Sequence, residues 1–286
     1  MTLTAILLVT IAGMMHAIWN MLTKRSGSQM AFLWWAQLTA IVGLAPVAFL
    51  VDGLEWLRGP TAIGFLLLSM LLHGVYIVLL AVAYRMGDLS VVYPVMRGIS
   101  PVLLPLLGVL VLNESLFAFD YAGIGLIVLG IWLLGSGGRS QAGDKLQWKA
   151  VCIAILVGLA VTSYTLIDKL AIETAGIPPL SLNSASNIGN ALFLTYFAIR
   201  SRHLRQEWRH HKPAWLIGGL LASAGYVLFL YAMDLAPLAQ IAPMREIGTV
   251  FGTLLGLFVL RESQARTLPR MLASFLITAG VIALGW

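Results

Sequence analysis

The chain has 286 residues, 59% of them hydrophobic and 10% charged, and its mean hydropathy is +0.90. A soluble domain of this length cannot bury so much apolar side chain, so the composition excludes a soluble enzyme and implies an integral membrane protein. The formal charge of +6 does not argue for a nucleic-acid partner, because the basic residues lie mainly between apolar segments, where membrane orientation accounts for them.

A membrane-spanning helix needs about 20 predominantly apolar residues. Ten such stretches follow one another, at about 3–23, 31–51, 61–84, 90–112, 118–136, 148–170, 180–199, 213–233, 239–260 and 268–285. The first has no basic leader region and no small-residue cleavage site, so it is expected to remain as a span. Cys152 lies in the sixth apolar run; with no second cysteine it forms no disulfide or Cys-based metal site, and it reads as a buried, inert thiol. Residues 137–147 (GGRSQAGDKLQ) are the most linker-like stretch, dividing 1–136 from 148–286 with five spans on each side. Five is odd, so two similar halves joined this way must face opposite directions. The expected fold is an all-α membrane protein whose ten helices form two inverted five-helix repeats around a central cavity.

The repeat is visible in the fourth and ninth spans, YPVMRGISPVLLPLLGVLVLNES from Tyr93 and IAPMREIGTVFGTLLGLFVLRES from Ile241. In each, an arginine (Arg97, Arg245) precedes a Glu-Ser pair (Glu114, Glu262) by seventeen positions. A guanidinium at the bilayer centre costs about 2.5 to 3.5 kcal/mol on insertion scales, so two of them imply helices that line a polar cavity. Gly13, Ala17, Asn20 and Lys24 of the first span share a helical face, and Gly158, Thr162, Thr165 and Lys169 repeat those offsets in the sixth. Fourteen of the 18 basic residues fall in loops on one side, which the positive-inside rule makes cytoplasmic, so both termini are expected outside, in a bacterial inner membrane. The basic loop Arg200 to Lys212 then reads as a topology signal in contact with anionic lipid. A metal site on His203, His210 and His211 has no acid or cysteine to complete it.

With its ten spans and with Arg97-Gly98/Glu114 and Arg245-Glu246/Glu262 in matching places, the chain resembles the EamA-type transporters of the drug/metabolite transporter superfamily over essentially its whole length. The resemblance implies a basket of spans 1–4 and 6–9 around the cavity, with spans 5 and 10 peripheral. It also implies transport of amino acids, other small metabolites, nucleotide sugars, sugar phosphates or drugs, often outward and against protons. One departure is that the fourth span carries Pro101 and Pro105 where the ninth carries Gly248, Gly252 and Gly256.

Among residues able to carry chemistry, Arg97 and Arg245 admit two readings: each holds an anionic group of the substrate, or each pairs with protein carboxylates and carbonyls freed by Pro94 and Pro243. Symmetry would put one toward each mouth of the cavity. Glu246 is taken as the one carboxylate well inside a span, either binding a substrate ammonium, carrying a coupling proton or forming an ion pair. His16 and His73 are further proton-coupling candidates, the alternative being interhelical hydrogen bonds. Asn183, Ser186, Asn187 and Asn190 form a polar stripe on the seventh span, expected to line the cavity opposite Asn20 and Gln37, with helix-to-helix contact as the other reading. Trp19, Tyr76, Tyr93, Tyr164 and Tyr226 are candidate stacking or gating surfaces, while Trp34, Trp35, Trp56, Trp148 and Trp215 read as interface anchors. Pro94, Pro101 and Pro105 can kink their helix, and Gly248 and Gly252 suit close packing or flexing. Glu114 and Glu262 are expected to make structural contacts at helix exits.

The interior inventory is net positive, which favours a small zwitterion such as an amino acid, or an organic anion, over a lipophilic cation. The expected function is therefore secondary transport by alternating access, with protons as a candidate driving partner and the lipid bilayer as surroundings. No cofactor or metal is called for, and a chain carrying both halves can work as a monomer or weak dimer. No GxxxxGK[ST], HExxH or GxSxG motif is present, so ATP drive and an intramembrane enzyme are disfavoured; a receptor that binds a metabolite without moving it is the other class.

Overall fold

The computed structural model describes residues 2–86, 89–135, 144–258 and 267–285, with backbone alone at 24, 84–86, 89–94, 134–135, 144–147, 256–258, 267, 270 and 285. The first half supplies α1 (Leu3–Lys24), α2 (Gln29–Asp52), α3 (Pro60–Met86), α4 (Leu89–Leu112) and α5 (Ala118–Gly135). The second supplies α6 (Asp144–Ala175), α7 (Pro179–Ser201), a short α8 (Leu204–His210), α9 (Lys212–Leu235), α10 (Leu238–Met244), α11 (Ile247–Phe258) and α12 (Thr267–Gly285). Six of these, α1, α2, α3, α4, α6 and α9, are long and apolar enough to cross a membrane, and α5 and α12 contain shorter apolar stretches. The first residue of α6, Asp144, lies within the stretch expected as linker, whose residues 137–143 are outside the described ones.

Helix ends follow local chemistry. Thr2 accepts the Ala5 N–H at the start of α1, and Pro179 opens α7, where a missing N–H costs nothing. At the end of α6, Gly176 takes φ +63, its N–H reaching the Ile172 carbonyl and that of Ile177 the Ala171 carbonyl. This paired closure needs a left-handed residue, which glycine supplies without strain.

The ninth apolar stretch is where the structure departs most from expectation. Instead of one span over 239–260 there are two helices, α10 and α11, separated at Arg245–Glu246. Pro243 contributes no N–H to the ladder. Around the break the chain tightens into i to i+3 bonds, Glu246 N–H to Pro243 O (2.9 Å), Gly248 N–H to Arg245 O (3.1 Å) and Thr249 N–H to Glu246 O (2.8 Å). By contrast, α4 runs unbroken through Pro101 and Pro105.

The helices pair mainly across the halves. α1 packs on α9 and α11, as its counterpart α6 packs on α3 and α4; α2 lies on α7 and α9, α7 on α2 and α3, α4 on α10, and α5 on α12. Two equivalent pairs, α5 with α12 and α2 with α7, run in opposite senses. Gly123 meets Gly280 and Leu284 while Gly130 meets Ala273 and Ile277; Trp34 reaches Thr195 while Asp52 reaches Ser181. Carboxylates tie the halves together at helix starts, where N–H groups point outward unpaired. Asp52 accepts the Ser181 N–H at α7, Glu207 the Ser28 N–H at α2, and Glu114 the Leu238 and Ala239 N–H groups at α10. Glu262 lies outside the described residues.

Two assignments from the sequence are corrected by packing. Cys152 is exposed on α6 rather than buried, because the buried face of that helix is formed by Ala150, Ala154 and Val157. Trp215 is not an interface anchor but is buried, stacked on Trp35 and Trp208. Lys169 lies within α6, which continues past it to Ala175, and its buried ammonium donates to the Met233 and Ala236 carbonyls at the end of α9 and pairs with Glu173 at 2.8 Å.

Candidate functional site

A cavity of about 670 Å³, counting its open mouth, lies where α1, α3, α4 and α6 meet the α10–α11 break. α1 contributes His16 and Asn20, α3 Tyr76, α4 Arg97 and Ser100, α6 Tyr164 and Thr165, and α9 Phe229. Arg245 and Glu246 enter from the break itself. Both guanidiniums therefore line one cavity. The broken helix is the reason: in a continuous helix adjacent residues point about 100° apart, but here the tight turn lets Arg245 and Glu246 both reach the cavity wall.

The two arginines are held differently. Arg97 forms an ion pair with Glu246 across the halves, Nη2 to Oε2 at 3.2 Å, and donates to the Thr249 hydroxyl at 3.3 Å, which in turn donates to Glu246 at 3.0 Å. Arg245 lies over aromatic faces, its guanidinium carbon 4.4 Å from the Phe229 ring centre and 5.4 Å from that of Tyr226. Such contacts hold a guanidinium by its flat face and turn its N–H groups outward along the edges, where one meets the Tyr164 hydroxyl and the others can meet an anion. Among the described residues no carboxylate lies within ion-pair distance of Arg245.

Other expected site residues lie away from the cavity. Asn183 and Asn187 both donate to Ser223 of α9 at 2.7 Å, and Asn190 is buried on the same helix. The stripe thus serves as helix-to-helix contact rather than a cavity wall, because α9 and α3 pack over that face. Gln37 is likewise buried away from the cavity lining. Trp19 is buried against Gly218 and Phe32, packed by α9 and α2. Pro101 and Pro105 are buried in α4 off the lining. Gly248 packs backbone to backbone on Gly13, whereas Gly252 has open space where a side chain would stand. The side chains of Tyr93 and Pro94 lie outside the described residues.

His73 lies beside the cavity in a buried cluster built around a residue that the sequence did not single out. Asp168 is 0% exposed; its Oδ1 accepts from the Ser69 hydroxyl at 2.6 Å and its Oδ2 from the Tyr226 hydroxyl at 2.5 Å, with His73 Nε2 at 3.7 Å. His73 in turn packs its ring 4.0 Å from that of Tyr164, a cavity-lining side chain. Glu246 is therefore not the one carboxylate inside a span. The sixth span was expected to end at 170, which made Asp168 a terminal residue. α6 runs to Ala175, placing it about two turns inside. The available signal was its position on the face of Thr165 and Val161, at i+3 and i+7.

Comparison with known proteins agrees with this architecture. A solved structure titled only "Crystal structure of protein" superposes with a TM-score of 0.77 at 18% sequence identity, covering 99% of this chain and 96% of its own, a likeness of fold alone. The model of the EamA-like transporter family matches residues 3–136 and again 148–286, so that each half of the chain carries one copy. This integral membrane protein belongs to the EamA-like transporter family.

Proposed function

We propose that the chain is a secondary transporter of a small polar metabolite, a zwitterion such as an amino acid or an organic anion. On this reading ten membrane-crossing segments, the ninth of them broken, form two inverted repeats that alternate access to the central cavity, in a bacterial inner membrane with both termini outside. The opposite sense of those two equivalent pairs, α5 with α12 and α2 with α7, supports the inverted arrangement.

The carrying observation is the contrast between the two arginines. The Arg97–Glu246 pair cancels its own charge, whereas Arg245 brings a positive charge to the cavity wall on an aromatic bed. An anionic group entering the cavity meets that guanidinium, while Asn20, Ser100 and Thr165 offer uncharged hydrogen-bonding groups for the remainder of the molecule. Tyr76, Tyr164 and Phe229 supply aromatic surface. Protons are the proposed coupling partner, with His16 in the cavity wall and His73 behind it.

Flux into proteoliposomes, run over a labelled panel of amino acids, organic acids and phosphorylated metabolites with and without a pH gradient, tests the proposal. Saturable flux of an anionic or zwitterionic compound is expected. Replacing Arg245 by Ala should weaken it roughly 10- to 100-fold, the worth of a charged hydrogen bond. Tight binding with no flux of any compound would instead favour a receptor.

A further inference from the structure

The Asp168 cluster has a property that the cavity lining lacks: its hydrogen bonds can be satisfied with or without one extra proton. The groups that face it are few. His73 comes from α3, Tyr226 from α9, and Tyr164 from its own helix packs on both rings. Lys169 next in sequence is turned to Glu173 and to backbone carbonyls; α7 brings only the hydroxyl of Ser186; Arg245 stands beyond the ring of Tyr226.

An ionised carboxylate wholly inside the membrane domain is costly unless it is paired, and the neutral acid is not. Here the ionised form accepts from Ser69 and Tyr226. In the protonated form, Oδ1–H donates to the Ser69 oxygen, and the Ser69 hydrogen turns to Ser186 Oγ, 3.4 Å away. The Asp168 oxygens and the Ser69 and Tyr226 hydroxyls keep partners in either state, so proton uptake there requires only that hydroxyls rotate. Glu246 offers no such alternative, since it is committed to Arg97 and Thr249.

We propose that Asp168 is the proton-binding site of the transport cycle, and that a proton there and an anionic group on Arg245 favour each other's binding. Tyr226 links them: its hydroxyl donates to Asp168 and its ring faces the guanidinium. A proton on Asp168 adds positive charge to a region that already holds Arg245. An anion on Arg245 removes that opposition, and linkage makes the effect mutual. The proton comes from water on one side as the carboxylate becomes the acid, and leaves to water on the other side as it is released; no other bond changes. The mutual effect rests on the reading of Arg245 as the anion site, whereas the proton site itself does not.

Infrared difference spectra of the purified full chain in phosphatidylcholine vesicles, taken as pH is lowered, test the site without a substrate. A carboxylic-acid carbonyl band should appear while the protein stays folded, persist in Glu246→Gln and vanish in Asp168→Asn. Ser69→Ala and Tyr226→Phe should move its frequency without removing it, which a variant that fails to fold would not do. Arg245→Gln, mimicking a neutralised guanidinium, should move the midpoint to higher pH by about one unit, a tenfold coupling within the usual range between sites. If no such band appears, or if Asp168→Asn leaves it unchanged, Asp168 is only a structural acceptor and the proposal is wrong. If the band is present but Arg245→Gln leaves its midpoint in place, the proton site stands and the coupling does not. A silent flux panel together with a normal band would overturn the transport reading alone.

Discussion

The Arg97 guanidinium and the Glu246 carboxylate meet at 3.2 Å, one on the fourth helix of the first half and the other at the break in the corresponding segment of the second. Neither is a free substrate-binding charge in this state. The pair joins the halves across the cavity, with Thr249 bridging its two members. Because both side chains are largely buried, removing one partner leaves the other charge stranded, at a cost of about 3 kcal/mol, whereas removing both costs much less. Arg97→Gln and Glu246→Gln are therefore each expected to lower the thermal unfolding midpoint in detergent, and the double Gln variant to recover part of that loss. Additive losses in the double variant would mean that the two groups do not depend on each other.

Glu114 makes a second link between halves, with Oε1 on the Leu238 N–H at 2.6 Å and Oε2 on the Ala239 N–H at 2.7 Å. A carboxylate at a helix start satisfies N–H groups that have no partner within the helix and meets the positive end of its dipole. Glu114→Ala should cost about 1 kcal/mol, and the loss should be local. Hydrogen exchange followed by mass spectrometry is expected to show faster exchange in 238–244 with α5 unchanged. Unaltered protection over 238–244 would remove Glu114 as the cap of α10.

What could be read in advance, and what could not, follows from the physics of each residue. Arg97 and Arg245 stood out because a guanidinium in an apolar run needs a polar reason, and their equal spacing from Glu114 and Glu262 revealed the duplication. The asparagine stripe of α7 was visible as a polar face, but periodicity says which residues share a face and not what covers it. Ser223, forty residues after Asn183, was the partner. Asp168 was hidden by an error of five residues in where α6 ends, since hydropathy falls at the Asp168-Lys169 pair although the helix does not. The break at Arg245 depends on Pro243, yet Pro101 and Pro105 leave α4 continuous, so proline alone did not indicate which span would divide.

The orientation of the chain is testable through its single cysteine. Cys152 is exposed on α6, so Cys152→Ser should change stability by less than about 0.5 kcal/mol and give a cysteine-free background. Glu55, in the turn between α2 and α3, has a side chain 87% exposed, and Arg209 is exposed on α8. With the positively charged loops inside, a membrane-impermeant maleimide should label Glu55→Cys in intact cells and Arg209→Cys only after permeabilisation. The reverse pattern would place both termini in the cytoplasm.

Gly248 and Gly252 sit one turn apart on α11 but meet different surroundings. A Cβ on Gly248 would stand 2.9 Å from the Gly13 carbonyl oxygen and 3.2 Å from its Cα, so α1 and α11 would have to move apart. Backbone cannot give way as a flexible side chain can, and overpacking of this kind costs about 1 to 3 kcal/mol. At Gly252 nothing lies within 4 Å, and alanine there gains up to about 1 kcal/mol of helix propensity. Gly248→Ala should therefore lower the thermal midpoint in lipid-supplemented detergent while Gly252→Ala leaves it level or raises it. Because α11 also carries Thr249, which bridges Arg97 and Glu246, the Gly248 variant should weaken that link too, and its loss should shrink when introduced into the Arg97→Gln background. Equal effects at the two glycines would mean that the close approach of α1 and α11 does not hold the broken helix in place.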